Sequence, residues 1–180
     1  MTTYIALLRG INVSGHNKIK MTELKQLFID LDFFEVVTYI QSGNVIFQSK
    51  QTDIPKIEQQ IIEAVLSFYG YSINVLVLSK ENLTKVFVSN PFLQIEAIDT
   101  KTLYAILLKE NYFEEGTEFL EPYLTNNEEL KIIGNCAYIH YPGDAGNSKL
   151  TINIIEKKLQ TVATSRNWRT ISKLIELSSQ

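Results

Sequence analysis

The spacing of apolar residues changes from segment to segment along the chain, and each change predicts an element. Residues 3 to 9 begin as a continuous apolar run, the pattern of a buried strand. Met21, Leu24, Leu27, Phe28 and Leu31 then fall at helical spacing, with Thr22 near the helix start. Val36 to Ile40 and Val45 to Gln48 are rich in β-formers and are joined by Gln41-Ser42-Gly43-Asn44, a hairpin connection in which Gly43 and Asn44 tolerate positive φ. Ile54, Ile57, Ile61, Ile62, Val65, Leu66 and Phe68 predict a helix from Asp53 to Tyr69, and Ser72 to Leu78 returns as a strand. That order is βαββαβ, a ferredoxin-like plait with two helices on one face of a four-stranded antiparallel sheet.

The second half predicts a related βαββα unit. A short helix over Lys80 to Val88 stops at Asn90-Pro91, because proline cannot continue the hydrogen-bond ladder. Leu103 to Lys109 reads as a strand and Tyr112 to Leu120 as a short acidic helix. Glu129 to Ile133 and Cys136 to Tyr141 read as a hairpin about Gly134-Asn135, and Lys149 to Leu159 and Trp168 to Leu177 as closing helices. The expected fold class is therefore α+β with antiparallel sheets: a plait over residues 1–79, then a second unit over 80–180 packed tightly on it. No low-complexity linker separates them. A diverged duplication would explain the pattern, although no residue-level repeat is visible.

Composition changes this picture little. The chain has 180 residues, 45% hydrophobic and 21% charged, which is ordinary for a globular protein. It shows no apolar run of the roughly 20 residues needed to cross a bilayer, and no leader at its start, so no membrane partner and a cytoplasmic location are expected. Cys136, the single cysteine, fits a reducing compartment and a small buried strand residue.

Charge changes it more. Residues 1–20 carry Arg9, Lys18 and Lys20 without an acid, and residues 148–173 carry six bases against Glu156. These stretches hold +3 and +5, leaving −11 for the remainder of a chain whose net charge is −3. The two basic islands coincide with polar boxes rich in glycine and asparagine. Arg9-Gly10-Ile11-Asn12-Val13-Ser14-Gly15-His16-Asn17-Lys18 follows the first strand; Ser148-Lys149-Leu150-Thr151 and Ser165-Arg166-Asn167-Trp168-Arg169-Thr170 open the late helices. A cation in the first turn of a helix opposes the helix dipole, so Lys149 after a Ser148 cap, and Arg166 and Arg169 beside a Ser165 cap, suggest a bound anion that offsets the cost. Free amides near Gly146 and Gly10 could receive phosphate or carboxylate. The competing account is a set of connecting loops whose asparagines make local turn bonds and whose lysines and arginines are simply solvated.

The expected ligand-binding residues are accordingly Arg9, Gly10, Asn12, Gly15, Lys18, Ser42, Asn44, Gly146, Ser148, Lys149, Arg166 and Asn167. If a reaction occurs, Arg9 or Arg166 would stabilise developing charge and His16 would donate a proton. Neither a P-loop nor a dinucleotide glycine pattern is present, and no carboxylate or histidine spacing suits a metal, so neither cofactor nor metal is expected. Cys136 and His140 lie four apart on one strand, about 13 Å, too far for a nucleophile pair. Trp168, Ile171, Leu174 and Ile175 share a helical face, which makes the tryptophan a core anchor.

Several of these motifs, in this order, are similar to those of the bacterial family known as domain of unknown function 1697. The resemblance runs over nearly the full chain. It rests on Arg9-Gly10-Ile11-Asn12-Val13 with Gly15 and Asn17-Lys18, on Thr38-Tyr39-Ile40-Gln41-Ser42-Gly43-Asn44-Val45, on Ser148-Lys149-Leu150-Thr151, and on Ala163-Thr164 with Arg166-Asn167-Trp168 and Lys173-Leu174. Ser14 departs from the glycine usual there, and Ser165 and Arg169 are local variants. The resemblance implies an α+β protein of ferredoxin-like units and supplies no catalytic residues.

The first expectation is thus a protein that binds, or acts on, a small phosphate- or carboxylate-bearing ligand. A nucleic-acid-binding module is the second, since Gly43-Asn44-Val45-Ile46-Phe47 loosely resembles the aromatic strand of an RNA-recognition domain, although a pI near 5.5 opposes a broad phosphate footprint. A structural protein that pairs with a second copy as a homodimer is the third.

Overall fold

The structure is a computed structural model that describes residues 1–109 and 112–179. It contains two four-stranded antiparallel sheets with helices, the α+β class expected. The chain divides into two compact units, Met1–Thr84 with Leu174–Gln180, and Lys85–Lys173.

In the first unit, β1 (Thr2–Leu8), β2 (Phe34–Tyr39), β3 (Asn44–Ser49) and β4 (Val75–Ser79) form a sheet in the order β2-β3-β1-β4. Helices α1 (Met21–Asp30) and α2 (Ile54–Tyr69) are those the apolar spacing predicts. Asp53 caps α2 by accepting from the Lys56 N–H, Pro55 stands in its first turn, and Gly70 ends it at φ 73°. Alternate residues of β1, namely Tyr4, Ala6 and Leu8, point to one core with Leu24 and Phe28 of α1 and Ile57, Ile61 and Val65 of α2. Phe33 and Phe47 meet within it at 4.5 Å between ring centres.

In the second unit, β5 (Leu103–Leu108), β6 (Glu129–Ile133), β7 (Cys136–His140) and β8 (Ala163–Asn167) repeat the arrangement, in the order β6-β7-β5-β8. The core on one face gathers Ile106, Leu108, Ala137, Ile139, Ile155 and Leu159. Helix α3 (Lys80–Val88) follows β4 directly, and α5 (Trp168–Leu177) follows β8 directly. Trp168 is buried and lies flat on Phe87, 5.4 Å between ring centres, as a core anchor should.

Three expectations for this half need correction. The acidic segment after β5 is a 3₁₀ turn over Glu114–Phe119 rather than a helix from Tyr112. Gly116 at its centre is pressed against the Lys158 carbonyl, so no side chain is available there to build a helical stripe. Helix α4 (Ile152–Leu159) starts three residues later than expected, because Thr151 is its cap while Ser148 accepts from the Leu150 N–H in a preceding turn. Most importantly, residues 163–167 are a strand. Ser165 and Arg166 belong to β8, and the cap of α5 is Asn167, whose Oδ1 accepts from the Thr170 N–H at 2.9 Å.

With β8 in place, a structural repeat becomes visible at the level of single backbone bonds. The Leu8 N–H donates to the Gly43 carbonyl at 2.8 Å, and the Leu108 N–H to the Asn135 carbonyl at 2.9 Å. The next residues, Arg9 and Lys109, donate to the carbonyls of Asn74 and Val162, both at 2.9 Å. Ser79 at the end of β4 accepts from the Asn82 N–H, as Asn167 does from Thr170. Equivalent backbone groups make equivalent bonds, although the side chains differ.

Candidate functional site

The chain leaves the first sheet through the Arg9–Lys20 segment, and this segment closes on itself. Gly10, Asn12, Ser14, Gly15 and Asn17 all take positive φ, between 46° and 81°. Asparagine and glycine accept that region most readily, which explains their concentration here. The Asn12 N–H donates to the Asn17 carbonyl at 3.1 Å, and the Asn17 side chain donates back to the Gly10 carbonyl at 3.0 Å. The Asn12 carboxamide ties three segments together: Nδ2 donates to the carbonyls of Ile19 and Gln41, and Oδ1 accepts from the Ile19 N–H, each at 2.9 Å.

The result is an open cleft of about 900 Å³, lined by Asn12, Gly15 and Lys18 of the loop, the start of α1, Gln41 of the hairpin turn and Tyr69 at the end of α2. Helix α1 has no side-chain cap, since its cap residue is Lys20. The N–H groups of its first turn therefore lack the acceptor that a Ser, Asp or Asn would supply. Lys20 pairs with Glu23 at 3.2 Å. Lys18 is exposed and makes neither an ion pair nor a hydrogen bond among the described residues. The Tyr69 hydroxyl stands 3.5 Å from Glu23 Oε2, and its ring stacks on Tyr71 at 5.8 Å with an 11° tilt. Partial burial and the Glu23 carboxylate together push the Tyr69 phenol up to about 12.

The structure thus brings Asn12, Gly15 and Lys18 to one cleft and adds Lys20, Thr22, Glu23, Gln41 and Tyr69, which sequence reasoning did not select. Gln41 stood inside a quoted motif, but nothing in the sequence shows that a hairpin turn and the end of α2 reach the same loop. Arg9, Gly10 and His16 are not among the lining residues. Ser42 and Asn44 hold the turn: Asn44 is fully buried and donates to the Tyr39 carbonyl at 3.1 Å and to Ser42 Oγ at 2.9 Å. Ile40, beside them, sits at φ 48°, a strained position for a β-branched residue.

The second unit holds the other expected site residues. The Gly146 N–H donates to Asp144 Oδ1 at 2.9 Å, and Lys149 is exposed two residues before the cap of α4. Arg166 is buried on β8, where its guanidinium donates to Thr164 Oγ1 at 3.0 Å and to the Ser165 carbonyl at 2.8 Å. Burial lowers its pKa to about 10. Neither Lys149 nor Arg166 lies in the first turn of a helix, so the dipole argument for an anion at these two residues does not hold; Arg169, exposed at the start of α5, is the cation that remains there. Among the described residues, no group of His, Cys, Asp or Glu could hold a metal ion, and no helix is long and apolar enough to cross a membrane.

The fold defines a tandem pair of ferredoxin-like units, with a cleft between the loop after β1 and the start of α1 in the first. The chain belongs to the family described as Protein of unknown function (DUF1697), whose model matches residues 1–138. Among solved structures it is similar to "conserved bacterial protein SP0830 from Streptococcus pneumoniae", with 24% sequence identity, 98% of each chain covered and a TM-score of 0.72. That likeness is one of fold. No curated protein matches the chain.

Proposed function

We propose that the cleft of the first unit binds a small phosphate- or carboxylate-bearing ligand. The observation that carries this reading is the unpaired Lys18 ammonium on the wall of a cleft that also contains the uncapped start of α1. A helix start without a capping oxygen presents N–H donors and partial positive charge, and an ammonium beside it adds a full charge. An anion in the cleft would satisfy both. Asn12 has a positioning role, since its carboxamide is already engaged in holding the loop to α1 and the hairpin. This reading places the ligand at Asn12, Gly15 and Lys18 rather than at Lys149 and Arg166.

Calorimetric titration with inorganic phosphate, citrate and small phosphate esters tests it. At least one should bind at a single site, with affinity falling as salt rises. Lys18→Ala should weaken that binding about tenfold or more, the usual effect of losing a charged hydrogen bond. Lys149→Ala should leave it unchanged. Absence of binding by every anion, or loss in Lys149→Ala with Lys18→Ala unaffected, overturns the proposal.

A further inference from the structure

We infer that the ligand of this cleft is a mononucleotide rather than a bare anion, an inference that rests on the anion reading above. Three properties of the lining point there. The cleft, at about 900 Å³, has the size of sites that take whole organic ligands, roughly 300–1,000 Å³, and far exceeds what one phosphate fills. A carboxylate, Glu23, stands in the same lining as Lys18. Paired with Lys20 at 3.2 Å, it keeps acceptor capacity that a ligand carrying hydroxyl donors would use and a bare anion would not, as the acidic residue of dinucleotide sites uses ribose hydroxyls. Finally, one wall is an aromatic ring. Tyr69 lies parallel to the ring of Tyr71 and meets Phe68 in a T-shaped contact at 4.7 Å, so its orientation is held by neighbours.

These groups match the parts of a nucleotide one by one. The phosphate goes to Lys18 and the start of α1, the ribose hydroxyls donate to Glu23, and the base packs on Tyr69, where base–aromatic stacking is favourable for any base. Gln41 supplies a carboxamide with both donor and acceptor for a base edge, and it makes no side-chain hydrogen bond among the described residues. A sugar phosphate would leave the ring wall unused. A nucleic-acid strand is opposed by the pI near 5.5, since polymer binding needs a basic footprint along several phosphates.

The full-length protein should be titrated with AMP, GMP, CMP and UMP, and in parallel with ribose 5-phosphate and inorganic phosphate. At least one mononucleotide should bind about tenfold or more tightly than ribose 5-phosphate. Tyr69→Leu should remove that advantage, while Tyr69→Phe should keep it. Circular dichroism confirms that each variant is folded. In amide spectra the bound nucleotide should shift Lys18, Thr22, Glu23 and Gln41. Mononucleotides that bind no more tightly than ribose 5-phosphate overturn this inference and leave the anion reading standing. An advantage retained in Tyr69→Leu overturns the placement of the base. If no compound binds, both readings fail.

Discussion

After its first strand, each unit meets the same requirement, to cross back over the sheet, and meets it differently. In the first unit, residues 9–20 separate β1 from α1 and include five positive-φ residues, two asparagine clips and an exposed lysine. In the second, positions 109–113 separate β5 from the 3₁₀ turn at Glu114, and among the described residues no α-helix stands between β5 and β6. Because the flanking strands keep the same registers and the same exit bonds, fold maintenance does not require the longer loop. A segment so heavily constrained yet unnecessary to the repeated architecture is where function is expected, since binding residues concentrate on loops held by a rigid scaffold.

The hairpin turns offer the sharpest way to test that contrast. Gly43 lies at φ 76°, and a Cβ there would come within 2.9 Å of both Leu8 Cβ and Ile11 Cδ1; Gly134, in the matching turn, lies at φ 54° in open space. Gly43→Ala should therefore cost about 2–4 kcal/mol through strain and overpacking, and Gly134→Ala about 1 kcal/mol through φ alone. Chemical denaturation of the two variants reads the difference. Equal costs would show that the first hairpin is no more tightly locked to its loop than the second.

The outer strands give an intermediate effect. Glu58 of α2 accepts from the Val77 N–H of β4, and Glu156 of α4 from the Ala163 N–H of β8, both at 2.9 Å. Each carboxylate occupies a donor on a sheet edge, which blunts the edge against pairing with another chain. Glu58 is only 4% exposed and Glu156 is half-buried. Glu58→Ala should cost about 1–3 kcal/mol and Glu156→Ala about 1 kcal/mol or less. Light scattering near the melting temperature should show more association in the Glu58 variant; the reverse order would break the correspondence between the edges.

Asn44 and Cys136 occupy matching positions, opposite Leu7 and Leu107 respectively, and provide the smallest effect. Burial pushes the Cys136 thiol up to about 12 from an ordinary value of 9.0. A raised folded-state pKa means that the neutral thiol's contribution is complete below pH 9 and is lost as pH rises toward 12. Wild-type stability should fall more steeply than that of Cys136→Ala across that window, and an aromatic disulfide reagent should modify Cys136 only on unfolding. Rapid modification of the native protein at pH 8 would contradict the burial.

Much of the first unit was legible because its signals are local. Apolar residues at helical spacing marked α1 and α2, and Gly43 marked a turn. β8 was illegible for the opposite reason. Ala-Thr-Ser-Arg-Asn lacks the apolar alternation of a strand and contains good caps, so it reads as a helix start. It becomes a strand because β5 offers an unpaired edge, and tertiary pairing outweighs local preference. That misreading carried the anion argument to Arg166, whose charge is instead buried among Thr164 and Ser165.

The sequence by itself determined the class of fold, two α+β units on one chain, and the polar, acid-free loop at Arg9–Lys18. Spacing, caps and turn residues act over a few positions, and so they can be read along a line. Only the tertiary structure decided which asparagines are loop clips and that Gln41 and Tyr69 join Lys18 at one cleft. Those are outcomes of strand register and helix length, which set distances between residues far apart in the chain.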